Sequence, residues 1–354
     1  MSLLLLEQHQ KAAEIAKQIC EHAEQNTKNG AQHGGGSLPY DGMVQTIILL
    51  DLSVRLDDKD FFCWTSVWTY VLMSTRMKNV PDQQVKFFIM QFCRSLKEEL
   101  WWLETDEEKK RAGEMLDAAI ETVRQTDIQK SYTDYIDDGA YEGIRKQYLQ
   151  CLLDRDMSGA AQCFNDALKK YSLPEVYTKI IQNVMYEVGD LWLHNRISVA
   201  QEHYCTATTQ TILSMIYPQL MERSKNGKKV LVACVGSELH ELGARMVSDI
   251  FEYEGWDSVF LGAAVPLNAL MQTIEDEKPD LLALSVALQQ QIKECAEEVD
   301  QIKEKYPSLF IAVGGQAFVK MTKASSLIHA DLLATTEQEL MALSQNFGSC
   351  GKVK

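Results

Sequence analysis

The chain has 354 residues, too many for one ordinary domain and suited to two or three, and its 46% hydrophobic, 24% charged composition is that of a soluble globular protein. Collagen-like, coiled-coil and wholly disordered classes are excluded, and no stretch approaches the roughly 20 uninterrupted apolar residues that span a bilayer. A net charge of −15 and a pI near 5.0 disfavour a phosphate-binding surface, and no local basic patch compensates, so no direct nucleic-acid binding is expected.

In chain order, the opening MSLLLLEQHQ lacks the basic region and small-residue cleavage site of a secretory signal, so the expected location is the cytoplasm. Residues 3–26 read as a helix, broken by Gly34-Gly35-Gly36-Ser37-Leu38-Pro39. Helix then follows helix from Met43 to Gln125. This stretch carries Phe61, Phe62, Trp64, Trp68, Tyr70, Phe87, Phe88, Phe92, Trp101 and Trp102. A polar stretch, 126–140, serves as a linker. Tyr141–Arg223 offers four helical periods, broken at Asp154–Ser158, Ser172–Pro174 and His194–Ile197, which predicts a small bundle.

At Gly227 the pattern changes. Short apolar runs at Lys229–Val235, Asp257–Leu261, Leu281–Val286, Leu309–Val313 and Asp331–Thr335 alternate with helical runs at Leu242–Tyr253, Pro266–Glu277, Gln291–Tyr306 and Lys320–Ile328. Strands this apolar are buried on both faces, which predicts a Rossmann-like, doubly wound parallel sheet. The expected domains are therefore 1–125 (aromatic-rich, all-helical), 141–226 (a four-helix cap) and 227–354 (the α/β sheet), joined by the linker. The nine cysteines are odd in number and no pair is spaced CxxC, so they read as reduced thiols.

A doubly wound sheet binds its ligand beyond the carboxyl ends of its strands, beside the first βα loop. That loop is Gly236-Ser237-Glu238-Leu239-His240-Glu241-Leu242-Gly243. It lacks the GxGxxG of a dinucleotide site. His240 beside Glu238 has the make-up of a metal ligand whose tautomer is fixed by a carboxylate, and equally that of a surface loop histidine. In the bundle, Trp192 ends one helix while Glu202 and His203 open the next. Residues of these types suit either a shared cavity or a core tryptophan with a helix-start glutamate.

The loop resembles the D-x-H-x-x-G motif of cobalamin-binding domains, with Glu238 in place of the aspartate and with His240 and Gly243 matching. The resemblance implies that His240 ligates cobalt from below in the base-off/His-on mode. It also implies that the nucleotide tail passes Ser285 and Val286 after the third strand and Gly314-Gly315 after the fourth. Ala287 departs from the family's S-x-L. The spacing W-x9-E-H, Trp192 to Glu202-His203, is similar to the cap of CarH-type light-sensing adenosylcobalamin proteins, implying that these residues cover the 5′-deoxyadenosyl group. Those regulators carry a histidine directly after the tryptophan. Here that residue is Leu193, and His194, His203 or water are the substitutes.

The resemblance covers about Tyr141–Phe347 and leaves the first 125 residues aside. Their aromatics read as a helical core with an oligomer interface. Alternatively, a globin-like domain beside a cobalamin module resembles the photocobilins, which implies biliverdin as a second chromophore. The sequence shows no kinase, cyclase or other output motif. The expectation is a light sensor rather than an enzyme, acting through light-dependent homo-oligomerisation or an unidentified downstream protein, with a corrinoid carrier of a methyltransferase system as the alternative.

Overall fold

The computed structural model of the protein describes residues 3–28, 40–77, 79–136, 139–321 and 323–347. The expected break at Gly34–Pro39, and Cys350, lie outside the described residues. The chain divides into two compact units. One comprises Met1–Ser131, Leu288–Glu297 and Ala317–His329, and the other Tyr132–Ala287, Glu298–Gln316 and Ala330–Lys354.

The first unit is helical: α1 (Leu3–Lys28), α2 (Tyr40–Leu56), α3 (Lys59–Arg76), α4 (Asp82–Glu98), α5 (Asp106–Gln125) and the short α6 (Ile128–Ser131). Asp58 caps α3 by accepting from the Phe61 amide, and Thr105 with Glu108 forms a capping box that starts α5. Helix α5 packs on α2, α3 and α4. Phe61, Phe62, Tyr70, Phe88, Phe92 and Trp102 are buried, whereas Trp68, Phe87 and Trp101 are exposed. Most of the aromatic cluster is thus ordinary core. A cleft of about 410 Å³ is bordered by Ile15, Ile47, Ile48, Asp51 and Arg55, and of the ten aromatics only Trp102 lines it.

The second unit opens with a helical bundle: α7 (Glu142–Leu153), α8 (Met157–Leu168), α9 (Leu173–Glu175), a π-helical stretch Val176–Ile181 running into α10 (Gln182–Leu193), α11 (Val199–Leu213) and α12 (Tyr217–Met221). Ser172 with Glu175 and Ser198 with Gln201 form the capping boxes that start α9 and α11. Phe164, Tyr177, Ile181, Val188, Cys205 and Ile212 are buried in a core that also takes in Met246 and Ile250 from the α/β half. The bundle therefore sits on the sheet's first helix.

The α/β half follows in chain order: β1 (Lys229–Cys234), α13 (Leu242–Tyr253), β2 (Asp257–Gly262), α14 (Leu267–Glu277), β3 (Leu281–Ser285), α15 (Ile292–Lys305), β4 (Phe310–Gly314), β5 (Leu332–Ala334) and α16 (Glu337–Asn346). The five strands are parallel in the order β2-β1-β3-β4-β5. The sheet reverses its winding between β1 and β3, and the loops after those strands diverge there to leave a crevice. β1 and β3 are buried almost throughout, as their runs of Val, Leu and Ala predict, while the edge strand β2 is half-exposed.

Two features correct the sequence reading. The helix expected over Lys320–Ile328 is absent from the described residues there, which hold only a 3-10 turn at Ala324–Ser326. Met321, Ala324 and Ile328 do recur at helical spacing, but Ser325 and Ser326 between them favour a turn. Conversely, α16 was not anticipated, although Thr336-x-x-Glu339 forms a complete capping box ahead of it. Cys20, Cys63, Cys93, Cys151, Cys163, Cys205, Cys234 and Cys295 are free thiols. No helix among the described residues is long and apolar enough to cross a membrane.

One buried contact fastens the bundle to the sheet. The Tyr177 hydroxyl donates to Asp249 Oδ2 at 2.9 Å, and Asp249 is 2% exposed. Burial raises the Asp249 carboxyl to about 6, against the pull of Tyr177, Tyr217 and Arg245. A carboxyl raised in the fold stabilises it below the unfolded pKa, and that share is lost as pH rises through about 6. Urea titrations of wild type and Asp249→Asn are expected to show the wild type losing about 3 kcal/mol relative to the variant between pH 4 and pH 8. Parallel pH profiles would contradict this account.

Candidate functional site

Strand β1 ends at Cys234, and the chain turns at Gly236, whose φ of +51° lies in the left-handed region. The turn swings Glu238 back under the sheet's edge, where its side chain is fully buried. There the carboxylate is shared. Oε1 accepts from the His240 backbone amide at 3.0 Å and faces His240 Nδ1 at 2.6 Å, while Oε2 accepts from the Ala287 amide at 2.9 Å. Ala287 follows β3, so one carboxylate closes the crevice between β1 and β3. The Glu238 carbonyl, in turn, accepts from the Ala264 amide beyond β2 at 2.9 Å.

His240 is the exposed end of this arrangement, its side chain 63% accessible. With Nδ1 committed to Glu238, Nε2 is the nitrogen left to meet a metal, the arrangement in which a carboxylate fixes tautomer and raises ligand basicity. The bond to Glu238 raises the His240 pKa above its usual value, burial opposes the shift, and the charges of Glu238 and Glu202 add to it. Glu202 belongs to α11, so the bundle's field reaches the loop. The longer glutamate, where the family motif has aspartate, accounts for the span from His240 to Ala287. The donor set therefore suits a cobalt corrinoid bound through imidazole.

Glycines border the same crevice. A Cβ on Gly315, whose φ is +120°, would lie 2.2 Å from the Val286 carbonyl oxygen, and one on Gly314 would lie 2.5 Å from the Ala334 carbonyl oxygen. Glycine is required at both positions for backbone to pass backbone. A Cβ on Gly243 would meet nothing within 4 Å, so this first turn of α13 presents an open face. Ser285 pairs with Cys234 and Gly314 at the strand ends, and Val286 is buried, its amide donating to Gly314.

From the bundle, Trp192 stands half-buried in the last turn of α10. Glu202 accepts from Thr206 Oγ1 at 2.9 Å and lies 2.6 Å from His203 Nδ1, with His203 75% exposed. His194 is a poor substitute for a histidine after Trp192. Its side chain is only 6% exposed, and Nδ1 lies 2.9 Å from the Asp190 carbonyl oxygen. Sequence reasoning missed Glu241. It takes a hydrogen bond from Gln210 Nε2 of α11 at 3.2 Å and another from the Ala263 amide at 3.1 Å, tying the cap helix to the loops. Its position one residue beyond His240 was the available signal.

Two family models match the chain, a B12 binding domain over residues 228–343 and a second B12 binding domain over 144–217. They indicate a cobalamin-type cofactor. The HTH-type transcriptional repressor CarA of Myxococcus xanthus is 28% identical over 42% of this chain and 51% of its own length. The HTH-type transcriptional repressor CarH of the same organism is 21% identical over 50% of this chain and 58% of its own. The chain thus spans about half the length of these curated relatives. The solved Methanosarcina barkeri monomethylamine corrinoid protein superposes with a TM-score of 0.51 at 19% identity, over 58% of this chain and all but 1% of that one, and shares the fold.

An imidazole must be neutral to ligate, so ligation by His240 would release the Nε2 proton of its imidazolium while the Nδ1 proton stays with Glu238, and would strengthen as pH rises through the raised pKa. Glu238→Gln is expected to lower that pKa in the cofactor-free protein, measured by NMR titration of the His240 ring. An unchanged titration would show that Glu238 does not control the imidazole.

Proposed function

We propose that the protein is a cobalamin-dependent light sensor that holds adenosylcobalamin base-off, with His240 as the lower ligand. The observation that carries this is the buried Glu238 carboxylate aligning an exposed imidazole at the sheet's switch point, with Glu202 of α11 near enough for its charge to act on that imidazole. When bound, adenosylcobalamin supplies a cobalt–carbon bond that light breaks. His240 and Glu238 anchor it from below, and Gly243, Ser285, Val286, Gly314 and Gly315 border the path of its tail. Trp192 packs over the adenosyl group, Glu202 hydrogen-bonds it, and His203 stands beside them. On illumination these three residues lose their partner. A ligand biases only the states it contacts differently, so the loss shifts the cap and, with it, association between subunits or with a downstream protein. No catalytic role is assigned to any side chain.

Leu193 favours a second reading. Without a histidine directly after Trp192, the cap lacks the usual replacement for the departed group, and a corrinoid carrier passing methyl groups between methyltransferases has no need of one. A visible spectrum decides between the two. The sensor, loaded with adenosylcobalamin, is expected to change its spectrum irreversibly under green light, whereas a carrier takes methylcobalamin and serves a methyltransferase. Uptake of neither corrinoid would overturn both.

Two substitutions refine the test. His240→Ala is expected to weaken retention at least tenfold, about 1.4 kcal/mol, and to leave a base-off spectrum without a protein ligand. An unchanged spectrum would refute the lower-ligand assignment. Trp192→Ala is expected to impair adenosylcobalamin more than hydroxocobalamin, and equal losses would refute the cap assignment. Biliverdin as a second chromophore predicts a further red absorbance band when that bilin is supplied. With most of the N-terminal aromatics engaged as core, no such band is expected if the first unit is only structural.

A further inference from the structure

The helix that carries Trp192 has a second working face. Glu187, Asp190 and His194 recur at helical spacing along α10, and at 100° per residue they lie roughly opposite Trp192. That face holds the irregular stretch Tyr132–Ile136. The Thr133 amide donates to Asp190 Oδ2 at 2.8 Å, and the Tyr135 amide donates to Glu187 Oε2 at 2.9 Å. The Tyr132 ring meets the His194 ring edge-on at 5.4 Å, and the Arg196 guanidinium lies 4.0 Å from the centre of the same ring. Tyr135 packs against Tyr186 at 5.5 Å, and Ile136 enters the bundle core.

This is an unusual way to fix a connecting segment. Two alternate amides of an irregular stretch are held by side-chain carboxylates, and Glu187 is 2% exposed. Burial raises the pKa of both acids, and the amide that each accepts from opposes the shift. Asp190, Trp192 and His194 share one helical turn, which ends at Asn195 in the left-handed conformation, φ +54°. A tilt that repositions Trp192 therefore moves both strap contacts with it.

We propose that Tyr132–Ile136 is a latch on the cap, held on α10 while Trp192 packs over the upper face of a bound corrinoid and released when that packing is lost. The latch presupposes the cobalamin site proposed above. What it adds is a defined output element. Loss of the group under Trp192 on illumination frees a peptide segment on the opposite side of the same helix, and that segment is the chain's entry into the second unit.

Hydrogen–deuterium exchange on the full chain, with the visible spectrum recorded in parallel, tests this. With adenosylcobalamin bound in the dark, the Thr133 and Tyr135 amides are expected to be protected. After illumination they are expected to exchange at least tenfold faster, while amides of β1 and β3 do not change. Asp190→Ala and, separately, Tyr132→Ala are expected to give fast exchange in the dark while still taking up adenosylcobalamin, with circular dichroism reporting an intact helical content. A spectrum showing bound and photolysed cofactor, with exchange in 132–136 the same in dark and light, would overturn the latch and leave the light sensor standing. Continued protection in both variants would overturn it equally. Failure to bind any corrinoid would remove the site and the latch together.

Discussion

A single buried carboxylate organises the second unit. Glu238 leaves the end of β1, reaches the amide that follows β3 and fixes the imidazole of His240 on the way. Burying a charge is costly unless it is compensated by hydrogen bonds. Here the compensation comes from donors on two loops that diverge because the sheet changes its winding direction between β1 and β3. The topology creates the crevice, the carboxylate bridges it, and the histidine is presented at its mouth. Replacing aspartate with glutamate at this position preserves the arrangement because the longer arm is what spans the gap to Ala287.

The bundle meets the sheet's first helix through apolar and polar contacts together. Met246 and Ile250 of α13 enter the bundle core, Tyr177 meets Asp249, Gln210 meets Glu241, and Arg245 Nη1 donates to the Gln210 carbonyl oxygen at 3.1 Å. Asp249 retains a raised carboxyl at the joint. A ligand between cap and sheet shifts the cap only as far as it contacts the alternative positions differently. On α10, one face meets the proposed ligand, and the other holds the Tyr132–Ile136 segment through two carboxylates.

Much of this was legible in the sequence. Runs such as KVLVAC and LLALS are too apolar for strands exposed on one face, and they gave the doubly wound sheet and the loop after β1. What stayed hidden depended on tertiary pairing. Glu241, Asp249, Glu187 and Asp190 are ordinary acidic residues on helices or loops, and only the folded chain shows which amides and hydroxyls they meet. The expected helix at Lys320–Ile328 failed although Ala324 and Ile328 are buried, because the adjacent serines favour the 3-10 turn that the described residues adopt there. The aromatic richness of the first unit read first as helical core, and Phe61, Phe62, Tyr70, Phe88, Phe92 and Trp102 are indeed buried there.

The proposed cobalamin site depends on His240 ligating cobalt. The most direct measurement is electron paramagnetic resonance of the cobalt(II) form bound to protein labelled with ¹⁵N-histidine. Ligation by the protein predicts doublet nitrogen splitting from the labelled imidazole, absent in His240→Ala. A triplet from unlabelled nitrogen would mean that the cofactor keeps its own benzimidazole on the metal, and that His240 does not ligate.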